Sequence, residues 1–195
     1  MKPAIFGIYG KSNTGKTTLI CDILNKLTDQ GFKIASVKIS DKKIDIDSKG
    51  KDSWNHAKAG SKLVVLRSKN ETDFLLKKRE DTNKVVEQIC SIGDYDLILI
   101  EGANDIFIPK IRVGDIKIRE NTILNYSGNF EKLIKLIKNE IYRRNKMKNM
   151  LIKVNGEKIP LTEFPTDFIK NTVCGMLKSL KGVDEIKNVE ISFEL

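Results

Sequence analysis

A short apolar run, Ala4 to Tyr9, leads directly into the octapeptide GKSNTGKT, Gly10 to Thr17, and then into apolar residues at helical spacing. This is the phosphate-binding P-loop pattern G-x-x-x-x-G-K-[ST], with the strand before it and the helix after it that the motif requires. No other feature constrains the fold as strongly, because each position has a physical task. Gly10 and Gly15 allow a tight turn, so that N–H groups of Asn13, Thr14, Gly15, Lys16, Thr17 and Thr18 point inward at phosphate oxygens. The helix starting near Lys16 adds its positive dipole end. Lys16 is placed to reach the β- and γ-phosphates, and the Thr17 hydroxyl to ligate Mg²⁺. The pattern implies a bound nucleotide.

The alternation of elements along the chain sets the fold class. After the P-loop helix (Leu19, Ile20, Ile23, Leu24, Leu27), which stops at Gly31, Lys33 to Ile39 reads as a second strand. A long polar loop, Ser40 to Lys51, precedes a short helix from Asp52 or Ser53 to about Gly60. Leu63 to Leu66 is fully apolar, as expected of a buried strand, and Asp73 to Leu76 can add another. Thr82 to Ile92 reads as helix, Leu97 to Ile100 as a buried strand ending at Glu101-Gly102, Lys110 to Val113 and Ile123 to Tyr126 as strands, and Phe130 to Arg144 as helix. Apolar strands alternating with helices predict an α/β fold, a three-layer P-loop domain with a mostly parallel sheet. Ligands of such sheets sit at the carboxyl ends of the strands, where Gly10, the Ser40 loop and Glu101 should meet.

Beyond the basic stretch Arg143 to Lys148 the pattern changes. Two β-rich runs flank Asn155-Gly156, a hairpin signal; a helix follows from about Thr166 to Lys181, and Val189 to Phe193 reads as a closing strand. The expected organisation is a nucleotide-binding domain over residues 1–146 and a small β-β-α-β module over residues 147–195, too small to be stable alone.

Composition narrows the remaining classes. The net charge of +9, from 35 Lys and Arg against 26 Asp and Glu, invites a nucleic-acid partner. No nucleic-acid motif or basic run interleaved with aromatics accompanies it, and a lysine-rich solvated surface is the simpler reading. No apolar run reaches the roughly 18 residues of a membrane span, and the P-loop strand begins too early for a secretory signal, so a cytoplasmic protein is expected. Cys21, Cys90 and Cys174 form no C-x-x-C pair and read as buried reduced thiols; with His56 the only histidine, a His/Cys metal site is not expected.

Glu101 is the second functional candidate, since an acid ending an apolar strand is where P-loop proteins place the carboxylate that holds Mg²⁺ or its water shell. Lys16 and Glu101 are the expected catalytic pair, and Thr17, Glu101 and Asp52 the expected metal contacts. Asp45, Asp47 and Asp52 lie in a loop long enough to suggest function, although solvated surface competes with metal contact at each. Lys38 at its strand end is placed to aim a cation at phosphate or at a second ligand, and His56 at phosphate; a solvated strand end and an ordinary surface histidine are the competing readings. Core packing is expected of Trp54. No N-K-x-D guanine tetrad is present in a usable position, so the base is not legible in these residues.

Several segments together resemble the molybdopterin-guanine dinucleotide biosynthesis protein B (MobB) family of P-loop GTPases. They are IYGKSNTGKTTL (Ile8 to Leu19), Val37-Lys38, Asp45 to Asp47, GKDSWNHAKAG (Gly50 to Gly60), DLILIEG (Asp96 to Gly102) and PKIRV (Pro109 to Val113), covering most of residues 1–145. The resemblance implies GTP and Mg²⁺ as cofactors, slow hydrolysis at best, a homodimer, and an accessory role beside the guanylyltransferase that joins GMP to molybdopterin. It implies nucleotide contacts from Asn13 to Thr18. The sequence departs from the family's usual pattern at Ile39-Ser40, Asn55 and Ala103-Asn104, which removes polar groups from the expected molybdopterin side. As an alternative, Lys38 and Glu101-Gly102 also resemble the strand-end lysine and Glu-Gly of ATP-dependent small-molecule kinases or ligases of the dethiobiotin synthetase type. A metallochaperone GTPase lacks the His/Cys cluster it would need.

Overall fold

The computed structural model describes residues 3–42, 47–148, 151–159, 163–182, 186 and 189–192. The chain divides into two compact units, residues 2–138 and 139–195. The first unit begins with β1 (Ala4–Tyr9), α1 (Lys16–Thr28), β2 (Ile34–Lys38) and α2 (Asp52–Lys58). It continues with β3 (Leu63–Arg67), β4 (Thr72–Leu76), α3 (Thr82–Ile92), β5 (Leu97–Glu101), β6 (Lys110–Val113) and β7 (Thr122–Tyr126). Helix α4 (Phe130–Lys148) spans the division. The second unit adds β8 (Ile152–Val154), β9 (Glu157–Ile159) and α5 (Glu163–Lys178).

Five strands form one sheet in the order β2-β5-β1-β6-β7, and all four pairings are parallel. The expected α/β fold with a mostly parallel sheet is therefore present. Strand β1 connects through α1 to β2, whereas the path from β2 to β5 returns through α3. Right-handed crossovers running in opposite directions place α1 and α3 on opposite faces. Period-two alternation then distributes the side chains. Ile98 and Ile100 of β5 pack with Val86 of α3, Ala103 and Ile108. The alternate residues Leu97 and Leu99 face the side where α1 contributes buried Leu19, Ile20, Ile23 and Leu27. Each such side chain contributes about 1.5–3 kcal/mol on full burial. The continuous apolar sequence of β5 thus follows from having a covered layer on each face.

Helix α1 ends as its sequence predicts. Gly31 takes a positive φ of 83°, and the Phe32 N–H turns back to the Leu27 carbonyl at 3.1 Å, a glycine-terminated cap. Beside this cap, Lys138 of α4 donates to Gln30 Oε1 at 3.0 Å.

Several expectations require correction. The apolar run Leu63–Leu66 is no buried strand: among the described residues β3 pairs only with β4, as an antiparallel hairpin outside the main sheet. Within it only Val64 is buried, while Leu63, Val65, Leu66, Phe74 and Leu76 are exposed. An apolar run specifies a wish for burial without specifying the partner. Trp54 belongs to α2, which buries none of its residues, and lies half-buried beneath the Lys58 ammonium at 5.0 Å from the ring centroid. Cys21 and Cys90 are exposed rather than buried, on the outer faces of their helices, and all three cysteines are free.

In the second unit, β8 and β9 pair around Asn155-Gly156, both at positive φ as a tight hairpin turn requires. Helix α5 begins at Glu163, earlier than its apolar stripe suggests. Residues 189–192 form no strand, and Phe193 lies outside the described residues. Glu140 of this unit accepts from Arg143 at 2.7 Å and from Arg144 at 2.8 Å. Burial pushes its carboxyl up, but the two guanidinium groups outweigh that and hold it below the usual glutamate range.

Candidate functional site

The turn after β1 is built by backbone conformation. Asn13 (φ 60°) and Gly15 (φ 81°) are left-handed, a conformation asparagine and glycine adopt most readily. Gly15 is also the N-cap of α1 and carries no side chain to cap it, and the first turn of the helix holds no acid. The leading N–H groups of α1 are thereby left for an anionic ligand. Gly10 serves a different end. A Cβ there would collide with the Val113 carbonyl oxygen and sit 2.9 Å from Thr14 Oγ1, so the turn closes only against a residue without a side chain. Thr14 donates to the Lys11 carbonyl at 2.9 Å, and the Lys16 ammonium folds over the loop to the same carbonyl.

Glu101 ends β5 at the carboxyl edge of the sheet, in register with Lys38 of β2 and Ile8 of β1. Its side chain alternates with Ile100 and so falls on the α1 face. There Thr17 Oγ1 lies 3.3 Å from each carboxylate oxygen, and Lys38 Nζ 3.7 Å from Oε1. The carboxylate is 15% exposed and the lysine 61%, so the pair contributes little stability; its importance is positional. The hydroxyl–carboxylate spacing fits a shared small cation. Neighbouring ligands of an octahedral Mg²⁺ with bonds of roughly 2.1 Å stand roughly 3 Å apart, and both groups are the hard oxygen donors that Mg²⁺ takes.

The glycine after the acid fixes this arrangement. Gly102 has φ 87°, its N–H donates to the Ile8 carbonyl at 2.8 Å, and a Cβ there would stand 2.9 Å from the Ile39 carbonyl oxygen. The Ile39 N–H in turn donates to the Glu101 carbonyl at 2.9 Å. The ends of β1, β2 and β5 are tied together through this turn.

The other candidates divide. Thr18 is exposed on the first turn of α1. Asp47 accepts from Ser53 at 3.0 Å, and its other carboxylate oxygen is buried with no hydrogen-bond partner among the described residues. Asp52 is exposed in the first turn of α2, with no direct hydrogen bond or ion pair to Thr17 or Glu101 among the described residues. His56 is exposed on the same helix. Asp45 lies outside the described residues. The structure therefore brings Thr17, Glu101 and Lys38 together at the P-loop, while Asp52 and His56 are exposed on α2.

Sequence reasoning missed a supporting network beyond β6. Lys110 is fully buried, its ammonium donating to the carbonyls of Ile108 at 2.9 Å and Glu120 at 2.8 Å. Burial pushes its pKa down, opposed by the nearby Asp105 charge. Arg119 donates to the Gly102 and Ala103 carbonyls at 3.2 and 2.6 Å and stacks on Tyr9, whose hydroxyl pairs with Thr122 at 2.8 Å. Arg112 donates to the Ile116 carbonyl at 2.7 Å. These cations brace backbone turns around the site. A lysine or arginine in a short strand carries no sequence mark that separates such a brace from a solvated side chain. Ala103 is buried against Gly7, a position with no room for a larger side chain.

The family model MobB, described as molybdopterin guanine dinucleotide synthesis protein B, matches residues 5–139. A Methanocaldococcus jannaschii protein, provisionally named a molybdopterin-guanine dinucleotide biosynthesis adapter, is 26% identical across 98% of this chain and 97% of its own. The Haemophilus influenzae adapter protein of the same name is 31% identical over 55% of this chain and 61% of its own. The crystal structure of Bacillus subtilis MobB superposes with a TM-score of 0.57 at 19% identity, covering 70% of this chain and 97% of that one, and shows a shared fold. Among the described residues no helix is long and apolar enough to cross a membrane.

Proposed function

The chain belongs to the MobB family and thereby to molybdenum cofactor biosynthesis, and on that basis we propose that it is a GTP- and Mg²⁺-binding adapter for the step that converts molybdopterin to its guanine dinucleotide form. The observation that carries this reading is the meeting of Thr17, Glu101 and Lys38 at the mouth of the Gly10–Thr17 loop. The N–H groups from Asn13 to Thr18, with Gly10 allowing closure, cradle the phosphates. Lys16 leaves the Lys11 carbonyl for the β- and γ-phosphates, exchanging a neutral acceptor for a charged one. Thr17 and Glu101 hold the Mg²⁺, which neutralises phosphate charge when bound. Lys38 sets the charge of the carboxylate's other side and faces incoming ligand.

Turnover is slow. Arg112 and Arg119 are committed to backbone carbonyls, so neither serves as the arginine that accelerates phosphoryl transfer. The protein works by binding, beside the guanylyltransferase and molybdopterin, as a homodimer in the cytoplasm. The exposed apolar side chains of the β3–β4 hairpin suit a subunit contact. The module beyond α4 is an addition to this nucleotide-binding unit.

The test is titration of wild type and Lys16→Ala with GTP and with ATP, by calorimetry in the presence of Mg²⁺. GTP should bind wild type in preference to ATP, and the variant should fold but lose binding. Near wild-type affinity in the variant would displace the site from this loop, and a clear preference for ATP would remove the guanine assignment.

A further inference from the structure

The face of the sheet turned away from α1 holds a second set of contacts to the site. Ile5, Gly7 and Tyr9 alternate along β1 on the face where Ala103 and Ile108 pack, so the Tyr9 ring lies opposite the Glu101 carboxylate. Tyr9 is fully buried and directly precedes Gly10 of the phosphate loop. Arg119 stacks on its ring at 4.8 Å from the centroid, and one guanidinium nitrogen, Nη1, donates to the carbonyls of Gly102 and Ala103 at 3.2 and 2.6 Å. We propose that Arg119 is a positioning residue for the Mg²⁺ site. From behind the sheet it locks the turn that follows Glu101 to the strand that precedes the phosphate loop, and so sets the carboxylate where Thr17 meets it. The proposal rests on the reading of Thr17 and Glu101 as metal contacts given above.

The backbone of Arg119 is pinned as firmly as its side chain. Thr122 Oγ1 spends its proton on the Arg119 carbonyl, so the Tyr9 hydroxyl is the donor in its 2.8 Å bond to Thr122 and accepts from the Arg119 N–H at 3.0 Å. Only one arrangement of protons satisfies all three bonds, and it ties ring, hydroxyl and guanidinium into one unit. The segment that carries Arg119 also begins against the phosphate loop. The Val113 carbonyl closes over Gly10, and a Cβ at Gly114 would stand 3.3 Å from Thr14 Cγ2. Residues 113–119 therefore touch the loop at one end and the Glu101 turn at the other. Within that turn, two successive carbonyls converge on one cation. Their dipoles repel without it, and Ala103 is fully buried, where water does not replace the lost donor. Loss of the guanidinium turns a carbonyl away and shifts the residue just before it, Glu101. Mg²⁺ demands near-ideal octahedral geometry, so a small shift of the carboxylate relative to Thr17 costs metal affinity.

The test is calorimetry of the full chain with GTP in EDTA and in Mg²⁺, the ratio of the two affinities being the increment that the metal supplies. Arg119→Met keeps a long side chain over Tyr9 without the donors, whereas Arg119→Lys keeps an ammonium with donors for both carbonyls. Arg119→Met should lower the increment about tenfold, as loss of an outer partner does at metal sites, with the loss confined to the titration in Mg²⁺. Arg119→Lys should stay within about threefold of wild type, since the donors return but the stacked plane does not. Tyr9→Phe keeps the ring, removes the hydroxyl that holds the Arg119 N–H, and should lower the increment in the same direction. In a Glu101→Gln background Arg119→Met should cost nothing further, because it acts through that carboxylate. The proposal is overturned by an undiminished increment in Arg119→Met or, where that variant does not melt cooperatively, in Tyr9→Phe. It is overturned equally by the same loss in EDTA as in Mg²⁺, by losses that add in the double variant, or by Arg119→Lys no better than Arg119→Met. In each of those cases the metal reading stands if Glu101→Gln alone removes the increment. A wild type with no increment, or a Glu101→Gln variant that keeps it in full, strikes the metal reading and the proposal with it.

Discussion

The two glycines of the phosphate loop are required for different reasons, and substitution separates them. Gly10 has an ordinary φ, since it is absent from the positive-φ positions, but its Cβ position is occupied by the Val113 carbonyl and approached to 2.9 Å by Thr14 Oγ1. The carbonyl cannot retreat cheaply, because β6 is held to β1 through Gly7–Lys110, Ile8–Ile111 and Tyr9–Arg112. Gly15 is the reverse: φ is 81° and nothing lies within 4 Å of its Cβ position. Gly10→Ala is thus an overpacking change, at about 1–3 kcal/mol of fold stability. Gly15→Ala is a conformational change, worth about 1–2 kcal/mol for an L-residue held left-handed, or about 5–30-fold in affinity if the loop adopts that conformation only around phosphate. Thermal melts and GTP calorimetry on Gly10→Ala, Gly10→Ser, Gly15→Ala and Gly15→Asn give the pattern. Neither Gly10 variant should recover either property. Gly15→Asn should regain most of what Gly15→Ala loses, because asparagine tolerates the left-handed region. A Gly15→Asn variant no better than Gly15→Ala would show that the position is reserved for close approach of phosphate, and the conformational reasoning would be wrong. A Gly10→Ala variant with wild-type melting would refute the packing of the loop against β6.

Glu101→Gln should leave Mg²⁺-free GTP affinity close to wild type while removing most of the increment that Mg²⁺ adds, measured by titrations with EDTA and with Mg²⁺; an undiminished increment would take Glu101 out of the metal site. Lys110 should make the protein more stable with rising pH. Its folded pKa is depressed, so between that value and the ordinary lysine value the unfolded chain binds more protons and ΔG of unfolding increases with pH, flat below that window. Urea melts from neutral to alkaline pH should show that rise in wild type and its absence in Lys110→Met.

The fold was largely legible where the determinants are local. The phosphate loop, its flanking strand and helix, and the Leu97–Ile100 run each announce their role through adjacent residues, and Glu101 is identified by its position at the end of that run. Legibility fails where the meaning of a residue depends on a distant partner. Leu63–Leu66 has the composition of a buried strand, yet among the described residues β3 pairs only with β4 and leaves all but Val64 of that run exposed. Lys110 looks like any strand lysine until Ile108 and Glu120 present it with carbonyls. Asp52 and His56 sit on α2, a short helix with no buried residue, where no local signal separates a ligand-binding side chain from a solvated one.

The second unit poses the remaining question of division of labour. The family model stops at residue 139, and the Bacillus subtilis structure covers 70% of this chain, whereas the Methanocaldococcus jannaschii relative extends across 98%. The P-loop, Thr17, Lys38 and Glu101 all lie in residues 2–138, the unit that holds the complete five-stranded sheet. Met176, Leu180 and Ile191 are among the exposed apolar residues of the second unit. A chain ending after Lys148 keeps all of α4, including buried Leu133, Ile134, Ile137 and Ile141. It should bind GTP within about twofold of the full chain, a difference below 0.5 kcal/mol on the scale where 1.4 kcal/mol is tenfold. Calorimetry on the two forms decides it: loss of GTP binding in a truncated chain that still melts cooperatively would make the second unit part of the nucleotide site, and would overturn its description as an addition to a self-sufficient one.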